Sequence, residues 1–205
     1  MAKLYFRYGA MNSGKSTSLL QAAFNYEERG QRVLLAKPAV DTKGDGQIIS
    51  RLGLTRQVDF LVPPDASVRE LFAAHAAGRE PGTLDIDVPP VACLLVDEAQ
   101  FFTGHQVEDL FRIAVVDGVP VLAYGIRTDF RTRAFVGSAR LLELAHSLEE
   151  LKTICRCGRK AVLTTRTVGG QVVLDGDQVA IDDQRLAYEA RCGTCYLEVS
   201  ADRLG

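Results

Sequence analysis

The sequence lacks the features that would point to a membrane or a nucleic acid as its partner. Its 24 Lys and Arg are balanced by 26 Asp and Glu, and no half of the chain is strongly basic, so an extended polyanion-binding surface is not favoured. No run approaches the roughly 18 apolar residues of a spanning helix. Lys3 and Arg7 interrupt the only early apolar stretch, which indicates that there is no signal peptide. We therefore expect a cytoplasmic protein with no nucleic-acid and no membrane partner.

Internal repeats, low-complexity tracts and clustered histidines are also missing. His75, His105 and His146 are isolated from one another in the sequence, so we expect each of them on a surface or a helix face rather than in a metal site. The 205 residues are enough for one sizeable domain with a small appendage.

The most informative stretch that is present is GAMNSGKST at residues 9–17. Gly9, four residues and then Gly14-Lys15-Ser16 have the spacing of a phosphate-binding loop. The glycines let the backbone turn so that several N–H groups point at one anion. Lys15 would reach the β- and γ-phosphates of a nucleotide, and Ser16 would offer its hydroxyl to Mg²⁺.

The surrounding pattern supports this loop and predicts an α/β fold. Strands are expected at residues 3–8, 33–38, 91–96 and 119–125, and helices at 16–28, 67–77, from Thr103 to Asp117, and 137–152. Ser67 and Thr103 are the candidate N-caps of the second and third of these helices. In the first helix, Leu19, Leu20, Ala23 and Phe24 would share the buried face. Residues 39–57 are expected to be a loop and residues 79–90 a surface connection. Alternating strands and helices imply a parallel sheet flanked by helices.

Two carboxylates follow the apolar run VACLLV, in the sequence Asp97-Glu98-Ala99-Gln100. An aspartate at the carboxyl end of a core strand is where phosphate-loop proteins hold Mg²⁺. Glu98 would face the second substrate and either accept a proton from a bound alcohol, as in a kinase, or orient a water, as in an ATPase. The carboxylates could instead cap the helix near Thr103. Phe101 and Phe102 could stack on a base, although Phe102 could equally belong to the core.

The cysteines indicate a metal site in a second, smaller domain. Cys155 and Cys157 form one pair, and Cys192 and Cys195 form another. Four thiolates satisfy tetrahedral Zn²⁺, with a reduced thiol cluster or disulfides as the alternatives; disulfides are disfavoured in a cytoplasmic chain. Cys93, within VACLLV, is expected to be a buried core thiol.

These motifs together resemble the type II thymidine kinases, and in particular the proteobacterial branch. The resemblance rests on LYFRYGAMNSGKST, DEAQFF (97–102), GIRTDFRTRAF (125–135), ELKTICRCGRKA and YEARC, and it runs over nearly the whole chain. It implies a phosphate-loop kinase domain at residues 1–152 and a zinc-binding lasso domain at residues 153–205. In the family the lasso, here about residues 164–190, closes over the nucleobase.

The resemblance also implies an activity and a set of site residues. The activity is transfer of the γ-phosphoryl group of ATP to the 5′-hydroxyl of thymidine, with Mg²⁺ and structural Zn²⁺, in a homotetramer that dTTP inhibits. Glu98 would be the general base. The expected ATP and Mg²⁺ residues are Gly9, Ala10, Met11, Asn12, Ser13, Gly14, Lys15, Ser16, Asp97 and Gln100. The expected nucleoside residues are Phe101, Ile126, Phe130, Phe135 and Tyr188.

Some positions depart from the family pattern, and other functions are compatible with the motifs. Lys43 stands where many members carry an arginine near the phosphates, and lysine cannot make the bidentate contact of arginine. Arg51 or Arg127 could compensate, or each could be a solvated surface charge. Asp182-Asp183 replace glycines that are usual in the lasso. A zinc-ribbon ATPase acting on nucleic acid is the main alternative, and a non-catalytic nucleotide switch is a weaker one.

Overall fold

The first strand, the glycine-containing loop and the first helix fold as their sequence pattern predicts. The computed structural model describes residues 1–42, 44–78, 88–178 and 186–204. Strand β1 (Leu4–Tyr8) leads through the glycine-containing loop into helix α1 (Lys15–Glu27). Gly30, with φ of 71°, follows the helix in the left-handed conformation that glycine adopts most readily. The helix buries Leu19, Leu20 and Ala23.

The elements from residue 32 to residue 150 build the remainder of the main sheet and its helical layers. In chain order they are β2 (Arg32–Pro38), β3 (Gln47–Ile49), β4 (Thr55–Gln57), β5 (Phe60–Val62), α2 (Val68–Ala76), β6 (Val91–Val96), a 3₁₀ helix (Ala99–Phe101), α3 (Gly104–Val115), β7 (Val121–Gly125), α4 (Val136–Leu144) and β8 (Ser147–Glu150).

Within the described residues the main sheet has six strands in the order β5-β2-β6-β7-β1-β8, and every neighbouring pair is parallel. The central strands are apolar because both of their faces are covered. Parallel strands present their carboxyl ends at one edge, so the segments after β1 and β6 open on the same side of the sheet. The predicted α/β fold with a helix-flanked parallel sheet is confirmed.

Two apolar cores lie on opposite faces of this sheet. One face packs against α2, α3 and α4 through residues such as Phe102, Leu110 and Leu141. The other face packs against α1 through Leu19, Leu20 and Ala23. The core assignment of Phe102 is confirmed, since its side chain is 2% exposed.

Two helices begin at the capping residues that the sequence predicts. Ser67 accepts a hydrogen bond from the backbone N–H of Glu70 at the start of α2. Thr103 and Gln106 form a reciprocal capping box at the start of α3. These side chains satisfy N–H groups that a helix leaves unpaired at its first turn.

Three local expectations were wrong. The helix expected at 137–152 ends at Leu144, and residues 147–150 pair with β1 as an edge strand. The stretch SLEE has no proline or glycine to end a helix, so only the tertiary pairing with β1 decides its conformation. The loop expected at 39–57 contains the antiparallel hairpin of β3 and β4. Phe24, expected on the buried face of α1, is 58% exposed.

The C-terminal region has short antiparallel strands, as expected after residue 152. Its elements are β9 (Thr153–Ile154), β10 (Lys160–Ala161), β11 (Leu163–Val168), β12 (Gln171–Val173), β13 (Leu186–Arg191) and α5 (Gly193–Ser200). Strand β11 lies between β12 and β13. The division into domains at residue 152 stays a prediction. Most of the connection expected at 79–90, and Asp182-Asp183, fall outside the described residues. Of the helices in the described part of the chain, none is both long and apolar enough to cross a membrane.

Gly137 in α4 predicts a stability difference that tests this packing. A Cβ at Gly137 would lie 2.6–2.9 Å from the carbonyl oxygens of Ala99, Phe102 and Gln100. Because backbone atoms cannot move aside cheaply, we expect Gly137→Ala to lower the free energy of unfolding by about 1–3 kcal/mol. Gly104→Ala in α3 is the control, since its added Cβ meets nothing within 4 Å; it should raise stability by about 0.5 kcal/mol. Equal unfolding midpoints in urea for both variants would contradict the packing.

Candidate active site

The loop between β1 and α1 has the backbone of an anion cradle. Asn12 and Gly14 adopt positive φ angles of 66° and 78°, which turns successive N–H groups toward the inside of the loop. The Lys15 side chain is buried, and its Nζ donates to the Ala10 carbonyl at 2.9 Å. Gly9 is required because a Cβ there would lie 2.5 Å from the Leu151 carbonyl oxygen. The positive N-terminal end of α1 and the inward N–H groups together suit a phosphate.

Ser16 and Asp97 meet across the sheet edge. The Ser16 Oγ donates to Asp97 Oδ2 at 3.0 Å, although the two residues are 81 positions apart in the chain. The loop puts Ser16 at the start of α1, and β6 ends at Asp97. Burial, together with the neighbouring charge of Glu98, raises the pKa of Asp97 to about 7. A buried carboxylate beside a hydroxyl is a suitable partner for a hard divalent cation, whose charge would restore the ionised form.

Glu98 adopts a strained backbone conformation at the mouth of this site. Its φ of 49° and ψ of 36° lie in the left-handed region, which is costly for a residue with a Cβ and is typical of functional positions. Its N–H donates to Asp97 Oδ1 at 3.0 Å. Its carboxylate accepts from Gln100 Nε2 at 2.5 Å. The contact with Gln100 restrains the Glu98 carboxylate.

One cleft brings Glu98 and the phosphate-binding loop together. It has a volume of about 530 Å³ and is lined by residues 11–18, Gln21, Ile49, Arg51, Leu52 and Glu98. The cleft has room for a nucleotide, and it contains both the cradle for phosphates and a carboxylate that can address an acceptor. Arg51, one of the two arginines considered in place of Lys43, lies on this cleft. Arg127 lies beside Gly9 and Ala10 in a smaller depression, and Lys43 is outside the described residues.

The sequence reasoning missed Lys37, which lies in a second cavity next to the cleft. Its side chain is 2% exposed, and its Nζ is 2.8 Å from Asp41 Oδ2. This small cavity of about 20 Å³ is also lined by Ser16, Asp97 and Glu98, so a buried cation lies close to both carboxylates. A lysine inside the otherwise apolar strand VLLAKP was the sequence signal that could have identified it.

The predicted nucleoside residues gather around the segment that follows β7. Phe101 and Phe135 make an edge-to-face contact with ring centroids 5.7 Å apart. Ile126, Phe130 and Phe135 are all buried. Gln100 joins this wall to the acidic pair, since its Oε1 accepts from the N–H of Ile126 at 3.2 Å while its Nε2 contacts Glu98. Gln100 was predicted as an ATP or Mg²⁺ residue, and this stays a prediction; its contacts in the structure connect Glu98 to the apolar wall.

The C-terminal sheet approaches both parts of the site. The N–H of Met11 donates to Thr164 Oγ1 at 3.4 Å, so β11 touches the phosphate-binding loop. In β13, half-buried Tyr188 lies opposite Arg166 of β11. Arg166 contacts the ring of Phe130, and Tyr196 of α5 donates its hydroxyl to the Phe130 carbonyl at 2.7 Å. Tyr188 is therefore on the sheet that faces the apolar wall.

The four C-terminal cysteines form a single group that could hold a metal ion such as zinc. The Sγ atoms of Cys155, Cys157, Cys192 and Cys195 all lie within 4.8 Å of one another. Tetrahedral Zn²⁺ with Zn–S bonds of about 2.3 Å separates its sulfurs by about 3.8 Å, so the tight Cys-x-Cys pair is no obstacle. Backbone N–H groups of Cys157 and Cys192 lower the pKa of the Cys155 thiol to about 6, which favours the metal-binding thiolate. Cys93, elsewhere, is fully buried in the core as predicted.

Comparisons with known proteins agree with this geometry. The family model described as "Thymidine kinase" matches residues 2–196. The chain belongs to the thymidine kinase family. It is 46% identical to a thymidine kinase of Chromobacterium violaceum, over 96% of this chain and 98% of that protein. It is 42% identical to a thymidine kinase of Ruegeria pomeroyi, over 98% and 97% of the two chains. A thymidine kinase of Enterobacteria phage T4 is also 42% identical, over 90% and 91%. The family resemblance in the motifs is confirmed.

The environment of Asp97 predicts a pH-dependent stability in buffer without nucleotide and Mg²⁺. Its folded pKa of about 7 lies above the ordinary value of 3.8, so its ionisation opposes folding as pH rises from about 4 to 7. Asp97→Asn removes that ionisation. We expect its melting temperature relative to that of the wild type to rise between about pH 4 and pH 7 and then to level off, as measured by calorimetry. The matched control is Asp65→Asn, at an exposed position, and it should show no such trend. A constant difference for Asp97→Asn across this range would contradict a buried carboxylate with a raised pKa.

Proposed function

We propose that this chain is an ATP-dependent thymidine kinase, which transfers the γ-phosphoryl group of ATP to the 5′-hydroxyl of thymidine and releases dTMP and ADP. The observation that carries the proposal is the shared cleft of the phosphate-binding loop and Glu98, which Gln100 links to an apolar wall. A nucleotide phosphate and a second, partly apolar substrate could therefore meet at one carboxylate. Membership of the family supports the choice of thymidine as that substrate.

The residues of the loop would bind and orient the phosphates of ATP. The backbone N–H groups from Gly9 to Ser16 and the N-terminal end of α1 favour negative charge. Lys15 would leave its contact with the Ala10 carbonyl and bind the γ-phosphate. Ser16 and Asp97 are the residues that would hold Mg²⁺, which when bound neutralises charge on the phosphates. Phosphoryl transfer has a loose transition state, so positioning and charge neutralisation account for most of the catalysis.

Glu98 would act on the acceptor hydroxyl. A carboxylate within hydrogen-bond distance of a 5′-hydroxyl can orient the oxygen toward phosphorus and accept its proton. The contact with Gln100 would keep the Glu98 carboxylate directed at the acceptor rather than at the phosphates. In a loose transition state the proton is lost late, so Glu98 mainly orients the nucleophile before it accepts the proton.

The apolar residues would select the nucleobase and keep water away. Phe101, Ile126, Phe130 and Phe135 would surround the thymine, and Tyr188 would approach it from β13. Aromatic rings bind the faces of a pyrimidine, and an enclosed site stops water from taking the phosphoryl group. Feedback inhibition by dTTP and assembly as a homotetramer are expected from the family resemblance and stay predictions.

Zinc would have a structural role in this scheme. Four thiolates leave no open coordination position, so a Zn²⁺ bound by the four cysteines would stabilise the fold without taking part in the chemistry. Cys155 and Cys157 precede β11, and Cys192 and Cys195 follow β13. The metal would therefore tie together both ends of the region that carries Thr164 and Tyr188. This arrangement supports the proposed division into residues 1–152 and residues 153–205.

A direct measurement of both products formed with thymidine tests the proposed function. Purified protein with ATP, Mg²⁺ and thymidine should form dTMP and ADP in equal amounts, as measured by chromatography. ADP release that depends on DNA rather than on the nucleoside would support a nucleic-acid ATPase instead. Tight ATP binding without turnover would support a nucleotide switch. Either result would overturn the kinase proposal.

Removing the charge of Glu98 tests its role. Glu98→Gln keeps the shape of the side chain but cannot accept the proton, so we expect ATP affinity within about twofold of wild type and kcat reduced at least about 10²-fold. ATP affinity is measured by calorimetric titration and kcat by the dTMP assay. Glu143→Gln, at an exposed position of α4, is the control and should retain full activity. Near-wild-type turnover of Glu98→Gln would exclude it as the base.

Removing one thiolate tests the structural metal. Cys192→Ser should lower zinc from about one ion per chain, as measured by atomic absorption, and should raise the KM for thymidine because the lasso region loses an anchor. Cys93→Ser is the control for zinc content, because Cys93 lies in the main core. Wild-type protein without zinc, or Cys192→Ser with a full zinc content, would contradict this role.

A further inference from the structure

Arg166 is a buried cation in the middle of the C-terminal sheet, and no step described above uses it. Its side chain is 4% exposed, although it lies on a strand of a small sheet near the protein surface. Its guanidinium carbon is 3.7 Å from the centroid of the Phe130 ring. A buried charge is costly unless its surroundings compensate for lost water. The contacts of Arg166 therefore indicate what keeps it there.

Two backbone carbonyls provide part of this compensation. Nη1 donates to the carbonyl of Asp177 at 2.7 Å, and Nη2 donates to the carbonyl of Asp175 at 2.6 Å. Between them, Gly176 adopts a φ of 110°, and a Cβ at this position would lie 2.7 Å from Nη2. The turn at residues 175–177 thus folds around the guanidinium and requires glycine at its centre.

The aromatic face of Phe130 provides the remaining compensation for the burial of the Arg166 charge. Nε of Arg166 has no hydrogen-bond partner among the described residues, so the guanidinium is held by two carbonyls and one ring. A cation over an aromatic face is attracted by its quadrupole, and most strongly where water is excluded. Phe130 is itself 1% exposed. Its ring is thus one of the surfaces against which Arg166 is fixed.

The strand register puts Arg166 on the same face of the sheet as the predicted lasso aromatic. Arg166 of β11 pairs directly with Tyr188 of β13 and with Val173 of β12. Directly paired residues in antiparallel strands project to the same face. Arg166 therefore contacts Phe130 on the side of the sheet from which Tyr188 also projects.

Other contacts join the segment around Phe130 to the C-terminal region but do not touch the Phe130 ring. The hydroxyl of Tyr196 binds the backbone carbonyl of Phe130, and Gln178 Nε2 donates to Asp129 Oδ2 at 3.1 Å. These contacts hold the backbone and the neighbour of Phe130 against the C-terminal region, whereas Arg166 contacts the Phe130 ring itself, more closely than Arg131 does.

We propose that Arg166 is a positioning residue for the nucleoside: it joins the Phe130 ring to the turn at residues 175–177 and to the strand pair that carries Tyr188. It thereby fixes the apolar wall relative to the lasso strands before thymidine binds. This inference rests on the proposed function, because thymidine is the nucleoside expected at that wall. It predicts that a change at Arg166 affects nucleoside affinity and leaves ATP binding unchanged, since β11 touches the phosphate-binding loop through Thr164 instead.

Steady-state kinetics of the full-length protein test this role. We expect Arg166→Met to raise the KM for thymidine at least tenfold, with the KM for ATP within about twofold of wild type. The KM of Arg166→Lys for thymidine should lie between those of the wild type and Arg166→Met, because lysine keeps the charge but cannot span two carbonyls or stack a planar group. The control is Arg191→Met, which removes a part-buried arginine from the opposite face of the same sheet, where it contacts Thr165 and Glu189. Its KM for thymidine should stay within about twofold of wild type.

A double-mutant cycle with Phe130→Leu tests the ring contact directly. If Arg166 acts by orienting Phe130, Arg166→Met should raise the KM for thymidine much less in the Phe130→Leu background than in the wild type. Zinc content and melting temperature are measured for every variant, so that unfolding is recognised independently. If Arg166→Met is unfolded at the assay temperature, the KM for thymidine of Arg166→Lys is compared with that of the wild type instead.

The outcomes separate this inference from the proposed function. No dTMP from wild-type protein would mean that the function itself is wrong. Active wild-type protein with an unchanged thymidine KM in Arg166→Met, a parallel rise in the KM values for thymidine and ATP, or fully additive effects with Phe130→Leu would each overturn the role of Arg166 alone.

Discussion

The hydrogen bond between Ser16 and the buried Asp97 is the contact on which the rest of the site depends. It exists because the connection from β1 to β2 carries α1 across β7 and β6, so that the start of α1 lies at the end of β6. The parallel arrangement then puts the phosphate-binding loop and the acidic pair at one edge of the sheet. The cost of burying Asp97, seen in its raised pKa, is consistent with a site built for a cation.

Gln100 extends this centre toward the second substrate. The 3₁₀ helix Ala99–Phe101 turns the chain so that the Gln100 amide donates to Glu98 and accepts from Ile126. The Gln100 side chain thus contacts both the proposed base, Glu98, and the first residue of the apolar wall, Ile126. Gly125 is needed beside it, since a Cβ there would lie 2.8 Å from Gln100 Oε1. The lasso strands reach the same wall through Arg166 and Phe130, so catalytic and selective parts share a continuous set of contacts.

Local patterns were enough to predict the features that depend on short stretches of chain. The phosphate-binding loop, the caps at Ser67 and Thr103 and the central strand before Asp97 each follow from neighbouring residues. The edge strand β8 was missed because pairing with the distant strand β1 decides its conformation. The hairpin of β3 and β4 was missed because each of its strands is only three residues long and lies in a polar, glycine-containing stretch. The burial of Lys37 and of Arg166 was also missed, since it depends on partners that the fold brings to them, such as Asp41 and Phe130. The contacts of Gln100 were unpredictable for the same reason.

The central claim is that Glu98 meets a sugar hydroxyl held beside the terminal phosphorus of ATP. The most direct test is a crystal structure with a bisubstrate analogue that joins the 5′-oxygen of thymidine to the phosphate chain of adenosine. We predict that its thymidine 5′-oxygen lies within about 3.2 Å of a Glu98 carboxylate oxygen, with the phosphates in the loop at residues 9–16. A 5′-oxygen more than about 5 Å from Glu98, or a thymine outside the wall of Phe101 and Phe135, would contradict the account.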